Sequence, residues 1–128
     1  MDKKEIGVLG EDFTARYYEK LGYEIKEKNY HSRYGEIDVI AENEEYIVFV
    51  EVKTRKAGSM VSPSQAVSRS KQKKIILTAM QYIGENDCFK QSRFDVFEIW
   101  QNEGRIFKFN HIEDAFDTGE FPAGYEIF

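Results

Sequence analysis

The stretch Tyr46-Ile47-Val48-Phe49-Val50-Glu51-Val52-Lys53 decides the fold. Its β-branched and aromatic residues favour a pleated strand, and so unbroken an apolar run marks a strand in the middle of a sheet. Charges are costly there, yet Glu51 and Lys53 close the run. The two-residue period of a strand puts Glu51 and Lys53 on one face with Ile47 and Phe49, and Val48, Val50 and Val52 on the other. Glutamate and lysine therefore project together.

Just upstream, residues 35–41 alternate like a second strand and carry Glu36 and Asp38. A two-residue turn at Asn43 and Glu44 would set Asp38 across from Phe49 and Glu36 across from Glu51. Asp38 then shares the face of Glu51 at a diagonal spacing of roughly 7 to 8 Å. Two carboxylates that close repel each other unless a cation or a proton sits between them, so the pair suits a hard metal ion, Mg²⁺ or Mn²⁺. Oxygen ligands from Asp38, Glu51 and the backbone carbonyl of Val52 would leave room for water and a substrate phosphate. Lys53 would stand beside the ion as a fixed cation that orients the attacking water and offsets charge on the phosphoryl group. The set suits phosphodiester hydrolysis.

Further outward, residues 3–21 read as a helix: Ile6, Leu9, Phe13, Tyr17 and Leu21 recur at three- and four-residue steps, and Gly22 offers a stop. A second stripe of Val8, Ala15 and Tyr18 contains Glu11. That carboxylate could reach the same metal, bind a second ion, or pair with a lysine or arginine as a structural ion pair. Glu36 is equally open between a metal ligand, a partner of the ligands and an acid near a strand start, and it ranks below Asp38. Residues 23–28 alternate as another strand. Residues 56–64 are small and read as a mobile loop, and Ser62-Pro63-Ser64-Gln65 has the form of a capping box opening a helix that runs to about Ile83. Residues 93–100 and 105–110 alternate as two strands of a hairpin, and 112–116 read as a short helix. The element order is α-β-β-β-α-β-β in one domain, 1–128.

The net charge of −5 would ordinarily argue against a nucleic-acid partner. Its distribution does not. Between Val52 and Gly84 there is no Asp or Glu, whereas Lys53, Arg55, Lys56, Arg69, Lys71, Lys73 and Lys74 all fall there. Arg55, Lys56, Arg69, Lys71, Lys73 and Lys74 are accordingly the expected phosphate-gripping residues. With 41% hydrophobic residues in 128, the chain can bury a core, and no apolar run approaches a bilayer span or a signal peptide. The one cysteine, Cys88, has no partner for a disulfide and no zinc-ligand spacing with His31 or His111, so a reducing, cytoplasmic setting and oxygen ligands for any metal are expected.

Taken together, the segments around Gly10-Glu11, Asn29, Gly35-Glu36-Ile37-Asp38, Val48 through Arg55, and Arg93-Phe94-Asp95-Val96 resemble the PD-(D/E)XK nuclease superfamily. More closely, they resemble the YraN family of bacterial proteins, described as endonucleases related to archaeal Holliday-junction resolvases. The resemblance implies an α/β, restriction-endonuclease-like core, a mixed central sheet flanked by helices. It also implies Asp38 and Glu51 as metal ligands, Lys53 as the catalytic lysine and Glu11 as a helix carboxylate near the metal. Ile37 stands where the superfamily name has proline, and no Gln-x-x-x-Tyr is evident on the second helix. The activity implied is Mg²⁺- or Mn²⁺-dependent cleavage of DNA, branched DNA included, by a homodimer if junctions are cut. The alternatives are a nucleic-acid-binding module that does not cut and an accessory subunit of a repair or recombination assembly.

Overall fold

A computed structural model describes residues 1–59 and 67–118. The first helix, α1 (Lys3–Lys20), opens with a capping box in which the Asp2 side chain accepts from the Glu5 N–H at 2.8 Å and Glu5 accepts from the Asp2 N–H at 3.1 Å. It closes at Gly22, whose φ of +97° suits glycine, with the Gly22 N–H on the Glu19 carbonyl and the Tyr23 N–H on the Tyr18 carbonyl. There follow β1 (Glu24–Ser32), β2 (Gly35–Glu42), β3 (Tyr46–Lys56), α2 (Arg69–Asn86), β4 (Gln91–Asn102) and β5 (Arg105–Phe116). The strands form one sheet in sequence order, so β3 is central as its composition requires. All neighbours are antiparallel except β3 and β4. That parallel pair needs a crossover, and α2 lies within it.

Strand alternation divides the core. On one face Ile40, Ile47, Phe49 and Phe94 pack against Ile75, Ile76, Ala79, Met80 and Tyr82 of α2. On the other, Val39, Ala41, Val48, Val50, Phe97 and Ile99 pack against Tyr18 of α1, with Phe13 and Tyr17 at the margin. Each face removes a layer of branched and aromatic side chains from water, the main favourable contribution to folding. The architecture is α/β, a mixed five-stranded sheet with two helices in the expected order. No helix among the described residues is long and apolar enough to cross a membrane.

Several boundaries differ from those expected. The β2–β3 turn has Glu44 and Glu45 at its centre, because Asn43 Oδ1 accepts from the N–H groups of both Glu45 and Tyr46 and the Asn43 N–H bonds the Tyr46 carbonyl. Each strand thereby slides one residue, pairing Ile40 with Phe49 and Val39 with Val50. Residues 112–116 are strand, not helix: Ile112 and Phe116 pair with Val96 and Phe94, and the Phe116 ring stacks on Phe94 at 5.2 Å. Tertiary pairing overrides a weak helical pattern there. Helix α2 begins at Arg69 with Ser68 as its cap and continues beyond Gly84 to a left-handed Asp87. The capping box expected at 62–65 and most of the expected loop lie outside the described residues. On α1 the covered face is Gly10, Thr14, Ala15 and Tyr18, whereas Val8 and Leu21 are 48% and 54% exposed. The helix turns this way because Gly10 sits against Thr54 of β3, where a β-carbon would collide with the threonine hydroxyl.

Opposite α1, Asp95 of β4 is fully buried and gathers the surrounding elements. Its carboxylate accepts from Arg93 Nε and Nη2, both at 2.9 Å, from the Tyr18 hydroxyl at 2.6 Å and from the Asp114 N–H at 3.0 Å, and His111 Nε2 lies 2.7 Å away. These donors outweigh burial and hold its carboxyl at about 2. A depressed folded value means that the unfolded chain takes up the proton first as pH falls. The stabilisation is therefore complete above the ordinary carboxyl range near 3.8 and is lost as pH falls through about 2. Asp95→Asn leaves the buried Arg93 with only the exposed Glu113, 3.2 Å from its Nη1, and should cost about 3 kcal/mol. Urea melts at neutral pH measure it; a loss below about 1 kcal/mol would show that the network holds little of the fold together.

Candidate active site

The slide at the turn moves both strands by one residue, so the faces survive and the acids come closer than the sequence suggests. Carried one step beyond Val39 and Val50, the pairing sets Asp38 opposite Glu51. There the Asp38 carboxylate accepts from the Val52 N–H at 2.8 Å, and the side chain rather than a backbone carbonyl satisfies that donor. The two residues are only 9% and 7% exposed, and their carboxyl groups are close enough for each to act on the other. Burial first, then the charge of Glu51, push Asp38 up to about 7 against the pull of the Val52 N–H. Burial also raises Glu51, opposed by the ammonium charges of Lys71 and then Lys53. Both acids are raised, so the pair as a unit holds a proton to higher pH than two separate carboxyl groups would.

The other expected residues divide around this pair. Lys53 shares the strand face of Glu51 and is close enough for its charge to act on that carboxylate. Lys71, expected at the phosphates, instead reaches from the first turn of α2 to within 3.9 Å of Glu51 Oε2. Glu36 is exposed, lies 3.4 Å from His31 Nδ1 and adds its negative charge to the field at Asp38. Glu11 is half-buried on α1, where Asn29 Nδ2 donates to it at 2.9 Å. Burial raises its pKa, and the charge of Asp38 contributes in the same direction. It is within electrostatic reach of the pair without joining it, for among the described residues no three Asp, Glu, His or Cys side chains converge as a metal-binding group. Glu11 lines a groove of about 500 Å³ with Lys3, Ile6, Gly7, Val52, Thr54, Lys56 and Gln101.

Of the expected phosphate-gripping residues, Lys56 borders that groove, and Arg69 and Lys74 are exposed on the first turns of α2, with Lys73 half-covered between them. Arg55 is engaged elsewhere, its guanidinium 3.1 Å from Glu98, whose other oxygen accepts from Asn110. Three contributors escaped the sequence reading: Lys71 as the partner of Glu51, Asn29 as the support of Glu11, and the acid pair's direct opposition. The first required the start of α2 and the third required the turn. Asn29 sits within β1 at φ +54°, a left-handed conformation that asparagine tolerates better than most residues and that only the structure reveals.

The pair has a cost that can be measured. A carboxyl raised on folding stabilises the folded chain below its ordinary range and loses that advantage as pH climbs through about 7. Asp38→Asn keeps an oxygen for the Val52 N–H and removes the charge. In chelator it should stabilise the protein by about 1 to 2 kcal/mol at pH 8. At pH 5, where Asp38 is already protonated, the gain should shrink. Thermal melts at the two pH values decide; equal or lower stability at pH 8 would mean that the acids do not crowd each other.

Residues 10–99 match the sequence model of the "Uncharacterised protein family UPF0102", a span that contains Glu11, Asp38, Glu51, Lys53, Lys71 and Asp95. The chain is 45% identical over 117 residues to a UPF0102 protein of Sulfurihydrogenibium sp., covering 91% of this chain and 97% of the relative. It is also 45% identical over 120 residues to one of Caldanaerobacter subterraneus subsp. tengcongensis, covering 91% and 98%. A more distant relative from Myxococcus xanthus is 34% identical over 119 residues, covering 92% and 94%. With its central strands and both candidate carboxylates inside the matched span, the chain belongs to the UPF0102 family.

Proposed function

We propose that this protein is a metal-dependent nuclease of PD-(D/E)XK type that hydrolyses DNA phosphodiester bonds, branched or bent DNA among them. The observation that carries the reading is the opposed, nearly dry pair Asp38 and Glu51 with Lys53 next on the same strand face. Burying two acids together costs stability, and such perturbed pairs cluster where chemistry needs them. The resemblance to the restriction-endonuclease-like nucleases supports the same assignment of roles.

The donor set fits a hard divalent cation, Mg²⁺ or Mn²⁺: two carboxyl oxygens face each other, and the Val52 carbonyl is the third candidate oxygen. When bound, such an ion would supply Lewis-acid charge for phosphoryl transfer. Asp38 and Glu51 would hold it, and Asp38 would give up its proton in doing so. Lys53 would orient the attacking water and offset negative charge on the phosphoryl oxygens. Water adds to phosphorus, one P–O bond of the backbone breaks, and the leaving oxygen takes a proton originating from the water. Glu11 would act from α1 as a neighbouring acid. Lys56, Arg69, Lys73 and Lys74 would meet the flanking phosphates, and cutting both strands of a junction would call for two copies of the chain.

One observation favours the alternative of a binding module that does not cut: among the described residues only two acids converge, not three. Purified protein offered linear, nicked, flapped and four-way DNA with Mg²⁺ or Mn²⁺ separates the two readings. The nuclease cuts at least one of these. Lys53→Ala and Glu51→Ala should each lower the rate by about a hundred-fold or more while melting as folded proteins. If none of the proteins cuts and all bind DNA alike, the binding module stands.

A further inference from the structure

Among the described residues that act on Glu51, Lys71 is the one that comes from outside the sheet. It is the third residue of α2, its N–H held by the Ser68 cap at 3.2 Å, so its backbone is fixed while its side chain remains 40% exposed. The ammonium stands 3.9 Å from Glu51 Oε2, beyond hydrogen-bond length, and the attraction is therefore one of charge. Lys53 differs: it stands on the same strand as Glu51 and on the same face, two residues along, and no ion pair as close as that of Lys71 joins it to Glu51 among the described residues. A strongly hydrated point charge on a four-carbon stem can swing outward at little cost.

We propose that Lys71 is the resident counter-ion of Glu51, displaced by an entering divalent cation and thereby presented to the phosphate of an incoming strand, so that cation and polyanion bind cooperatively. This rests on the metal-binding reading of Asp38 and Glu51. The reasoning is electrostatic. Glu51 and Lys71 are mutually neutral, and a divalent cation on Glu51 leaves the ammonium uncompensated beside a second positive charge. A phosphate at the mouth of the site relieves that repulsion, so each ligand strengthens the other, as linkage requires. The groups facing Glu51 are Asp38 from β2, Lys53 from its own strand and Lys71 from α2, with Glu36 acting from farther off. Of the two cations among them, Lys71 is the one within 4 Å of Glu51 and the one carried by a helix rather than by the sheet.

The test is a Mn²⁺ titration by calorimetry with and without a phosphorothioate DNA duplex, which keeps the backbone charge and resists cutting. Without DNA, Lys71→Met should bind Mn²⁺ about five-fold tighter than the parent protein, and Lys71→Gln should behave the same way. Lys71→Arg, which restores the charge, should return to within about two-fold of the parent. The tightening of Mn²⁺ that DNA produces in the parent should shrink by about the same five-fold in the Met and Gln variants. Equal Mn²⁺ affinity across parent and variants, or an undiminished DNA effect, overturns the role of Lys71 and leaves the metal site standing. An absence of Mn²⁺ binding in parent and variants alike overturns both.

Discussion

Two carboxyl groups kept almost free of water on adjoining strands can be accommodated only if their charge is shared with something else. In this protein one backbone N–H and the ammonium groups of Lys53 and Lys71 share it, and the pair binds a proton more readily than separate acids would. Much of the surrounding structure follows from that demand. The β2–β3 register must place the acids face to face, β3 must carry a lysine two residues on, and α2 must start where its first turn overlooks Glu51.

The far side of the same sheet shows the opposite solution. Asp95 on β4 pairs with Val50, the residue before Glu51, and is at least as deeply buried as Asp38. Yet its carboxyl lies well below the usual range while that of Asp38 lies well above it. The difference is in the donors: Arg93, Tyr18, His111 and the Asp114 N–H surround Asp95, whereas Asp38 has one N–H and a like charge. A fully satisfied acid fastens α1, β4 and β5 together. An under-satisfied one keeps a raised pKa, and the alternation of strand faces holds the two environments apart.

Much of this could be read from residue order because it depends on local rules. The apolar run of β3 and its period placed Glu51 and Lys53 on one face and β3 in the middle of the sheet. The β2–β3 turn was misplaced by one residue because the Asn43 side chain, which organises it, satisfies donors further along than a simple two-residue count assumes. Since that slip moves both partners, it changed which residues oppose but not which face they share. What composition could not show was everything settled at long range. The 112–116 segment became strand through Phe94 and Phe116, and the covered face of α1 was selected at Gly10. Arg55 pairs with Glu98, and Lys71 reaches Glu51 because α2 begins after Ser68.

The missing side chain at position 10 reaches further than helix packing. Gly10 lets α1 rest directly on Thr54, three residues past Glu51, and the next residue along the helix is Glu11, tethered to β1 by Asn29. Helix, central strand and edge strand are thus gauged against one another at a single point of closest approach. A methyl group added there would act as a wedge, lifting the acid of α1 from its tether and widening the groove beside Val52. The tolerance to which the site is built is, in that sense, machined by an absence of atoms.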